Sequence, residues 1–354
     1  MKIWKELQCS RQEGGLQKAF DSVCHSLLLA KLMVYGFSGR ALQLMTAYLR
    51  DRKQRVKLDN TYSQWRTVTT RVPQGSLLGP LLFNIYMNDL NYFIEGTSLR
   101  LYADDTTAYA SDTSPVVLEY IINSDLQAVC TWLRHNYLLI NAAKTQAMAI
   151  GPVNYRCAIN LQDNNIELSD SLKILAVTLD ERMLTFKPYI QEQLKRACAK
   201  AAALRKLCKF IPQDVMIRLY NYKAYVLPHL EYCSPLLLGI SNRLKNKLED
   251  TNYYILRTIL RYLSSVSYDF LLNLAELQNL ETRRQFQSLV ILYKCLRGQG
   301  PEYLSEFFNV LNVNYNLRGA STRLMLPSFN LEYMHESWSY LTTKLWNGLP
   351  TRVR

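Results

Sequence analysis

The spacing of apolar residues changes once along the chain. Up to about residue 180, stretches of period two alternate with helical stretches. From Tyr189 onward the period is helical. Leu99-Arg100-Leu101-Tyr102-Ala103 alternates as a half-buried strand does, and Thr106 to Ala110 reads as its return partner. Asp104 and Asp105 fall where that chain reverses. Arg52 to Leu58 and Tyr62 to Val72 read as two more strands around an Asp59-Asn60 turn. An apolar-rich run to Tyr35 reads as a helix closed by Gly36. Arg40 to Leu49 is a short amphipathic helix, and Leu78 to Leu90 a helix behind the Pro73-Gln74-Gly75 turn. Ser114-Pro115 opens another with a cap and a first-turn proline. Its stripe is Val117, Ile121, Leu126, Val129 and Leu133. Beyond Tyr189, a stripe of Ile190, Leu194, Cys198, Ala201 and Leu204 is expected to face inward. Met1 to Gly15 shows no clear period, and Gly14-Gly15 would interrupt a strand. No internal repeat or low-complexity linker is visible.

A chain of 354 residues has room for two or three domains, and 49% hydrophobic content is enough for real cores. Lys and Arg number 42 against 29 Asp and Glu, a net +13 that favours a polyanionic partner. The excess is concentrated on the helical segment. Between Tyr189 and Leu263 stand 13 Lys and Arg and five Asp and Glu, a net +8. A helix bundle with lysine-coated faces would give the same count. The eight cysteines are scattered without a C-x-x-C, and there are four histidines. Neither a disulfide framework nor a zinc site is indicated, so reduced thiols in an intracellular protein are expected. No apolar run has the length of a signal peptide core or a membrane span, so nucleus or cytoplasm is expected and no membrane partner.

Adjacent carboxylates repel, and a hairpin tip carrying two of them is most useful if a divalent cation neutralises it. Hard ions such as Mg²⁺ take carboxylate oxygens together with substrate phosphates. A plain polar turn accounts for Asp104-Asp105 on its own. Gly75 lets the backbone approach a substrate closely, and Gln74 can hydrogen-bond a base or sugar. An ordinary Pro-Gly turn accounts for that tripeptide on its own.

The longer stretch decides between these. Val72-Pro73-Gln74-Gly75-Ser76-Leu77-Leu78-Gly79-Pro80-Leu81-Leu82-Phe83-Asn84-Ile85-Tyr86-Met87-Asn88-Asp89-Leu90, with Tyr102-Ala103-Asp104-Asp105, closely resembles the palm of non-LTR (LINE-type, jockey-like) retrotransposon reverse transcriptases. The resemblance runs from about Leu16 to the last residue. Lys18-Ala19-Phe20-Asp21 matches the first palm motif. Asn136 to Ile150, with Asn141, Lys144 and Thr145, resembles the fourth. Lys173 to Asp180 resembles the hairpin that supports the primer end, with Ala176 where the family usually has Gly. Leu230-Glu231-Tyr232 and Leu345-Trp346-Asn347-Gly348-Leu349-Pro350 resemble the downstream region of these polyproteins.

The resemblance implies an α+β fold. A palm of antiparallel sheet and packed helices is expected over residues 16–188, a helical thumb over 189–265 and a helical C-terminal region over 266–354. Fingers are expected to be largely missing, and residues 1–15 to be a leader foreign to the family, the motif's supporting strand being hard to find upstream. The implied activity is RNA-directed DNA synthesis, a two-metal nucleotidyl transfer to a primer 3′-hydroxyl with Mg²⁺ or Mn²⁺. Template RNA, a DNA primer and deoxynucleoside triphosphates are the implied partners, and nothing in the sequence points to an obligate protein partner. Asp104 and Asp105 fall on the catalytic metal ligands, Asp104 the stronger. Phe20 falls on the aromatic that screens the sugar 2′ position. Gln74, Gly75 and Tyr102 are implied substrate contacts, and Lys144 a cation or acid at the leaving pyrophosphate. Lys195, Arg196, Lys200, Arg205, Lys206 and Lys209 are implied to hold duplex phosphates.

One departure stands out. The first motif's metal-binding Asp falls on Gly15. Asp21 lies six residues later, and Glu13 would share the strand face but is displaced by two. The chain is therefore expected not to extend a primer at a useful rate, and Gly15→Asp alone not to restore it. A catalytically dead, truncated remnant that keeps nucleic-acid binding is the alternative, and a helical interaction protein the third reading.

Overall fold

In the computed structural model, strand β1 (Lys2–Gln8) precedes helices α1 (His25–Val34) and α2 (Gly39–Leu49). Four two-residue strands follow, β2 (Lys53–Gln54), β3 (Lys57–Leu58), β4 (Thr61–Tyr62) and β5 (Arg66–Thr67). Helix α3 (Leu78–Met87) runs on through a 3₁₀ stretch (Asn88–Phe93) towards β6 (Ser98–Tyr102) and β7 (Asp105–Ser111). Helix α4 (Pro115–His135) leads to β8 (Gln146–Ile150), β9 (Ile159–Leu161), β10 (Asn164–Ile166), β11 (Ser171–Ile174) and β12 (Val177–Asp180). Helices α5 (Lys187–Leu207), α6 (Leu227–Glu231), α7 (Asn242–Ile259), α8 (Tyr268–Leu274), α9 (Leu280–Leu296), α10 (Glu302–Ser305) and α11 (Trp338–Gly348) complete the order. The structure describes residues 2–8, 19–73, 75–150, 157–180, 185–207, 210–212, 215, 222–262, 265–311, 323–329 and 332–354, with backbone alone for 2–8, 222–223 and 332–333. Two compact units divide the chain, residues 1–176 with 180–184 and residues 177–179 with 185–354.

The first unit is built on a four-stranded sheet in the order β6-β7-β1-β8. Every pairing in it is antiparallel. The second strand from one edge is thus flanked by β1, which lies between β7 and β8. A strand therefore does stand ahead of the first motif, where the sequence leaves one hard to find. Lys2-Ile3-Trp4-Lys5-Glu6-Leu7-Gln8 lacks clean alternation, but a strand hydrogen-bonded on both edges is held by its neighbours more than by its own pattern. The core beneath holds Leu28, Leu32, Leu82, Phe83, Tyr86, Leu126, Val129 and Trp132, all at most 2% exposed.

The stripe of α4 is in a different phase from the one read off the sequence. Leu118 and Ile122 are buried, and Val117 is 44% exposed. Leu126, Val129 and Leu133 are buried as expected. Ser114 makes no side-chain cap, and its own N–H instead donates to Asp112 Oδ1 at 2.6 Å. The inward face is set by the packing of Leu118, Ile122, Leu126 and Val129 on the core. Between α1, α3 and α4, the Lys31 ammonium donates to Asp89 Oδ1 and Tyr86 O, each at 2.6 Å. Its ammonium also lies over the rings of Tyr86 and Trp132, at 4.8 and 4.6 Å from the centroids. Burial pulls its pKa down, and Asp89 opposes that. Tyr86 in turn donates to Asn136 O at 2.7 Å, which ties α3 to the end of α4.

In the second unit, one apolar cluster runs from Val177 to Leu280 and includes Ile190, Leu194, Ala197, Ala201 and Leu204 of α5. A smaller one joins Leu292, Cys295, Phe308, Leu324 and Trp346. Cys198 is exposed, and Ala197 takes the inward place expected of it. The buried positions 190, 194, 197, 201 and 204 repeat every seven residues, the spacing of a helix packed along its length on a neighbour. Among the described residues, no helix is long and apolar enough to cross a membrane.

Candidate active site

Tyr102 pairs with Asp105 across the β6–β7 hairpin, so the two loop residues are Ala103 and Asp104. The acidic pair therefore straddles the loop, with Asp104 in it and Asp105 as the first residue of β7. This is a shift of one from the symmetric turn expected. Ala103 has φ +53°, a left-handed conformation that costs a residue with a Cβ roughly 1–2 kcal/mol. Both acids are half-buried. Leu99 is buried, whereas Leu101 is 38% exposed and turns to a cleft.

That cleft holds about 550 Å³ and is lined by Phe20, Leu101, Tyr102 and Ala103 together with Pro80, Asn84, Met87 and Asn88 of α3 and its continuation. Phe20 stacks on the buried Phe83 ring, with centroids 4.3 Å apart and planes at 25°. The Val72 N–H donates to Phe20 O at 3.0 Å, so a backbone bond and a stacked ring both fix Phe20. Asn84 and Asn88 are four residues apart and share a helix face, which brings two amides into the cleft. Neither was singled out from the sequence. The i, i+4 spacing of Asn84, the one polar side chain of an otherwise apolar helix, and Asn88 just past its end is the signal that could have found them.

The turn before α3 is held by Ser76. Its hydroxyl donates to Pro73 O at 2.7 Å and accepts from the Gly79 N–H at 3.0 Å. A Cβ on Gly79 would meet Pro73 O at 2.9 Å, so a bulkier residue would push this turn apart. Gly75 has φ +78° with open space around it, so it is needed for its conformation and not for room.

The loop that feeds β6 is held by a buried carboxylate. Asp125 of α4, 8% exposed, accepts from the backbone N–H groups of Thr97, Gly96 and Glu95 at 2.6, 3.0 and 3.3 Å. Gly96 itself lies so close to α4 that a Cβ would come within 2.5 Å of Ile121 Cγ2.

Phe20 and Tyr102 thus meet at one cleft, with Asp104 and Asp105 beside it on the hairpin. Lys144 does not line that cleft. It is exposed and closes the 3₁₀ turn Ala142–Lys144 leading into β8, where its N–H donates to the Asn141 side chain at 3.3 Å. Asp21, the acid of the first motif, is paired with Arg71 at 2.8 Å, a tie between two loops. Gln74, Glu13, Gly15 and Lys209 lie outside the described residues. In the second unit, Lys195, Arg205 and Lys206 are exposed on α5. Arg196 pairs with Glu192, and Lys200 donates to Tyr225 OH at 3.1 Å.

Two half-buried carboxylates suit a hard divalent ion, which binds protein through one or two carboxylates and fills its other positions with water and phosphate oxygens. Opposite Asp105 on β1 stands Gln8. Among the described residues, no group of three His, Cys, Asp or Glu comes together.

Residues 14–179 match the family model described as reverse transcriptase (RNA-dependent DNA polymerase). A probable RNA-directed DNA polymerase from transposon BS of Drosophila melanogaster is 30% identical over 211 residues, 56% of this chain and 23% of that one. The RNA-directed DNA polymerase from mobile element jockey of the same species is 27% identical over 61% of this chain and 24% of its own length. Its counterpart in Drosophila funebris is 28% identical over 69% of this chain and 27% of its own. The chain thus spans about a quarter of the length of the curated relatives it matches. A telomerase structure from Candida albicans aligns over 78% of this chain and 50% of that one, at 14% identity and a TM-score of 0.37.

Proposed function

Residues 14–179 being a reverse transcriptase segment of the jockey-like, non-LTR retrotransposon kind, we propose that the first unit is the palm of an RNA-directed DNA polymerase. The observation that carries this is the cleft itself. It places Phe20, Tyr102 and two helix amides beside a hairpin that presents two adjacent carboxylates. Asp104 and Asp105 would hold a divalent ion, Mg²⁺ or Mn²⁺, which would screen triphosphate charge and favour ionisation of the primer 3′-hydroxyl. Phe20, stacked on Phe83 in the wall of the cleft, serves in this reading as the aromatic that screens the sugar 2′ position and so favours deoxynucleotides. Asn84 offers its amide to the sugar or base, and Asn88, whose Nδ2 donates to Tyr35 OH at 2.9 Å, offers its side-chain oxygen. Gly75, at φ +78° with open space around it, lets its own backbone come close to the nucleotide. Lys144, exposed in the turn that leads into β8, is the cation offered to the leaving pyrophosphate.

The second unit supplies the grip on the duplex. Exposed Lys195, Arg205 and Lys206 along α5 meet phosphates, whereas Arg196 and Lys200 are partly occupied by Glu192 and Tyr225. The apolar cluster from Val177 to Leu280 supports a thumb that continues to about residue 280, with the C-terminal helical region beyond it.

The test does not depend on turnover. The chain is mixed with a primed RNA template, Mg²⁺ and one deoxynucleoside triphosphate, then challenged with heparin. A complex that survives only with the triphosphate complementary to the next template base supports the reading, and Asp104→Asn with Asp105→Asn should abolish that selectivity. Survival that ignores base identity overturns it. Glycine at position 15, where the motif calls for a carboxylate, favours a second reading in which the chain forms this complex but extends slowly. Primer extension by the same chain separates the two.

A further inference from the structure

The ribbon formed by β2 to β5 stands outside the active-site cleft and is exposed along its whole length. Between Arg52 and Arg66 it carries five cations, Arg52, Lys53, Arg55, Lys57 and Arg66, against a single carboxylate, Asp59 at its tip. Near the tip, Lys57 pairs with Tyr62 and Leu58 with Thr61. At the base, Lys53 pairs with Thr67 and Gln54 with Arg66. The two registers differ by one residue, so the second strand holds an extra residue between Tyr62 and Arg66, a β-bulge.

The bulge decides which rings share a face. In an unbroken ladder Tyr62 and Trp65, three residues apart, would point to opposite sides. With the extra residue, Trp65 falls opposite Arg55 in the register of the base, while Tyr62 stands opposite Lys57. Arg55 and Lys57 are two apart and so share a face. The contacts agree. The Arg55 guanidinium carbon lies 4.0 Å from the Tyr62 ring centroid and 4.6 Å from that of Trp65, and the Lys57 ammonium lies 5.5 Å from Tyr62. Tyr62 is nevertheless 48% exposed and Trp65 58%. Two open aromatic rings interleaved with cations form one face.

We propose that this face binds single-stranded RNA, with bases stacked on Tyr62 and Trp65 and phosphates met by Lys53, Arg55 and Lys57. Exposed rings can stack only on bases that are not already paired, which selects a single strand over a duplex. The five-to-one charge ratio selects a polyanion over a protein surface. The ribbon is also fixed to the wall of the cleft. Arg71 ion-pairs with Asp21 at 2.8 Å and donates to Gln54 at 2.6 Å, and the Arg71 N–H donates to Val23 O at 2.9 Å, beside the turn that holds Phe20. A strand lying on the ribbon is thereby held at a set place relative to the cleft. That suits unpaired template, and this last step rests on the polymerase reading.

The experiment uses the full 354-residue chain and a fluorescein-labelled oligouridylate, with anisotropy read at low and moderate salt. Tyr62→Ala with Trp65→Ala should weaken binding about ten- to hundredfold with an unchanged circular dichroism spectrum. Lys53→Glu with Lys57→Glu should reduce the salt slope by about two. With 4-thiouridine in the oligonucleotide, the crosslinked peptide should contain Tyr62 or Trp65. Lys195→Ala with Lys206→Ala on α5 should leave single-strand affinity within about twofold while weakening duplex binding. Single-strand affinity that survives loss of both rings, as it would if the ribbon served a protein partner, or a crosslink outside the ribbon, overturns the proposal. If Asp104→Asn with Asp105→Asn leaves this affinity intact, the ribbon stands whatever becomes of the polymerase reading.

Discussion

Asp125→Ala should loosen the loop that aims the acidic hairpin. The wild-type carboxylate accepts three backbone N–H groups, from Glu95, Gly96 and Thr97, and is 8% exposed. Bonds to a charged acceptor contribute about 1.5–3 kcal/mol each when well formed. Here the 2.6 Å bond from Thr97 and the 3.0 Å bond from Gly96 carry most of it, and the 3.3 Å bond from Glu95 adds little. Glu95 and Gly96 are exposed, so water re-solvates their amides once the carboxylate is gone. The net cost is therefore nearer about 2–3 kcal/mol than the sum of three bonds. For a unit of this size that lowers the melting temperature by about 4–12 °C. The assay is urea unfolding, read as a lower midpoint at unchanged slope, with hydrogen exchange at residues 95–97 as the local readout. Asp125→Asn keeps one acceptor and should fall between. Gly96→Ala tests the same loop by another route, since its Cβ would come within 2.5 Å of Ile121 Cγ2. A midpoint for Asp125→Ala within about 0.5 kcal/mol of wild type, with exchange at 95–97 unchanged, would refute the reasoning.

Burial, with Arg196 and Lys200 adding, holds the His229 pKa below its ordinary 6.5. The unfolded chain then takes up the proton first, so this contribution to stability is complete above pH 6.5 and lost as pH falls below it. His229→Gln should flatten the rise of the urea midpoint between about pH 5 and 7, and an unchanged pH profile would count against it. Cys157 should resist alkylation at neutral pH, since burial, with Glu119 adding, pushes its thiol up to about 12. Cys24 should label ahead of it: burial raises its pKa, but bonds from the Ser26 hydroxyl and the backbone N–H groups of Leu27 and Ser26 outweigh that and leave it below 9.0. Equal labelling rates by mass spectrometry would contradict this. Leu175 and Ala176 have φ +46° and +67°, so Leu175→Asn with Ala176→Gly should stabilise by about 1–2 kcal/mol, and a lower urea midpoint would show the strain is absent.

Much of the acidic hairpin was legible because its determinants are local. Leu99-Arg100-Leu101 alternates, and Asp104-Asp105 interrupts. The loop's true centre, Ala103-Asp104, was missed by one residue because alanine is not a usual turn residue and only its neighbours force it to φ +53°. The Asp59-Asn60 turn was legible for the opposite reason, being made of residues that favour turns. Strand β1 was illegible, since Lys2 to Gln8 has no period of its own and is held by β7 and β8. Helices were located well but phased less well. Ala197 and Cys198 are both small, so pattern alone could not choose between them, and packing on the α5 side of the cluster did. The basic stretch of α5 was legible as charge, but not the local pairing of Arg196 and Lys200. The Tyr62–Arg55–Trp65 sandwich depends on a bulge that no periodicity announces.

Iron-mediated cleavage at the hairpin tests the central claim, that Asp104 and Asp105 together seat a divalent ion. Fe²⁺ replaces Mg²⁺ at oxygen sites, and with ascorbate and peroxide it generates hydroxyl radicals that cut the backbone beside the bound ion. With a deoxynucleoside triphosphate and a primed RNA template present, cutting should centre on the residues flanking Asp104 and Asp105, fade as Mg²⁺ is added, and disappear in Asp104→Asn with Asp105→Asn. Cleavage that is absent from this hairpin, or that persists there without the two carboxylates, would contradict the account.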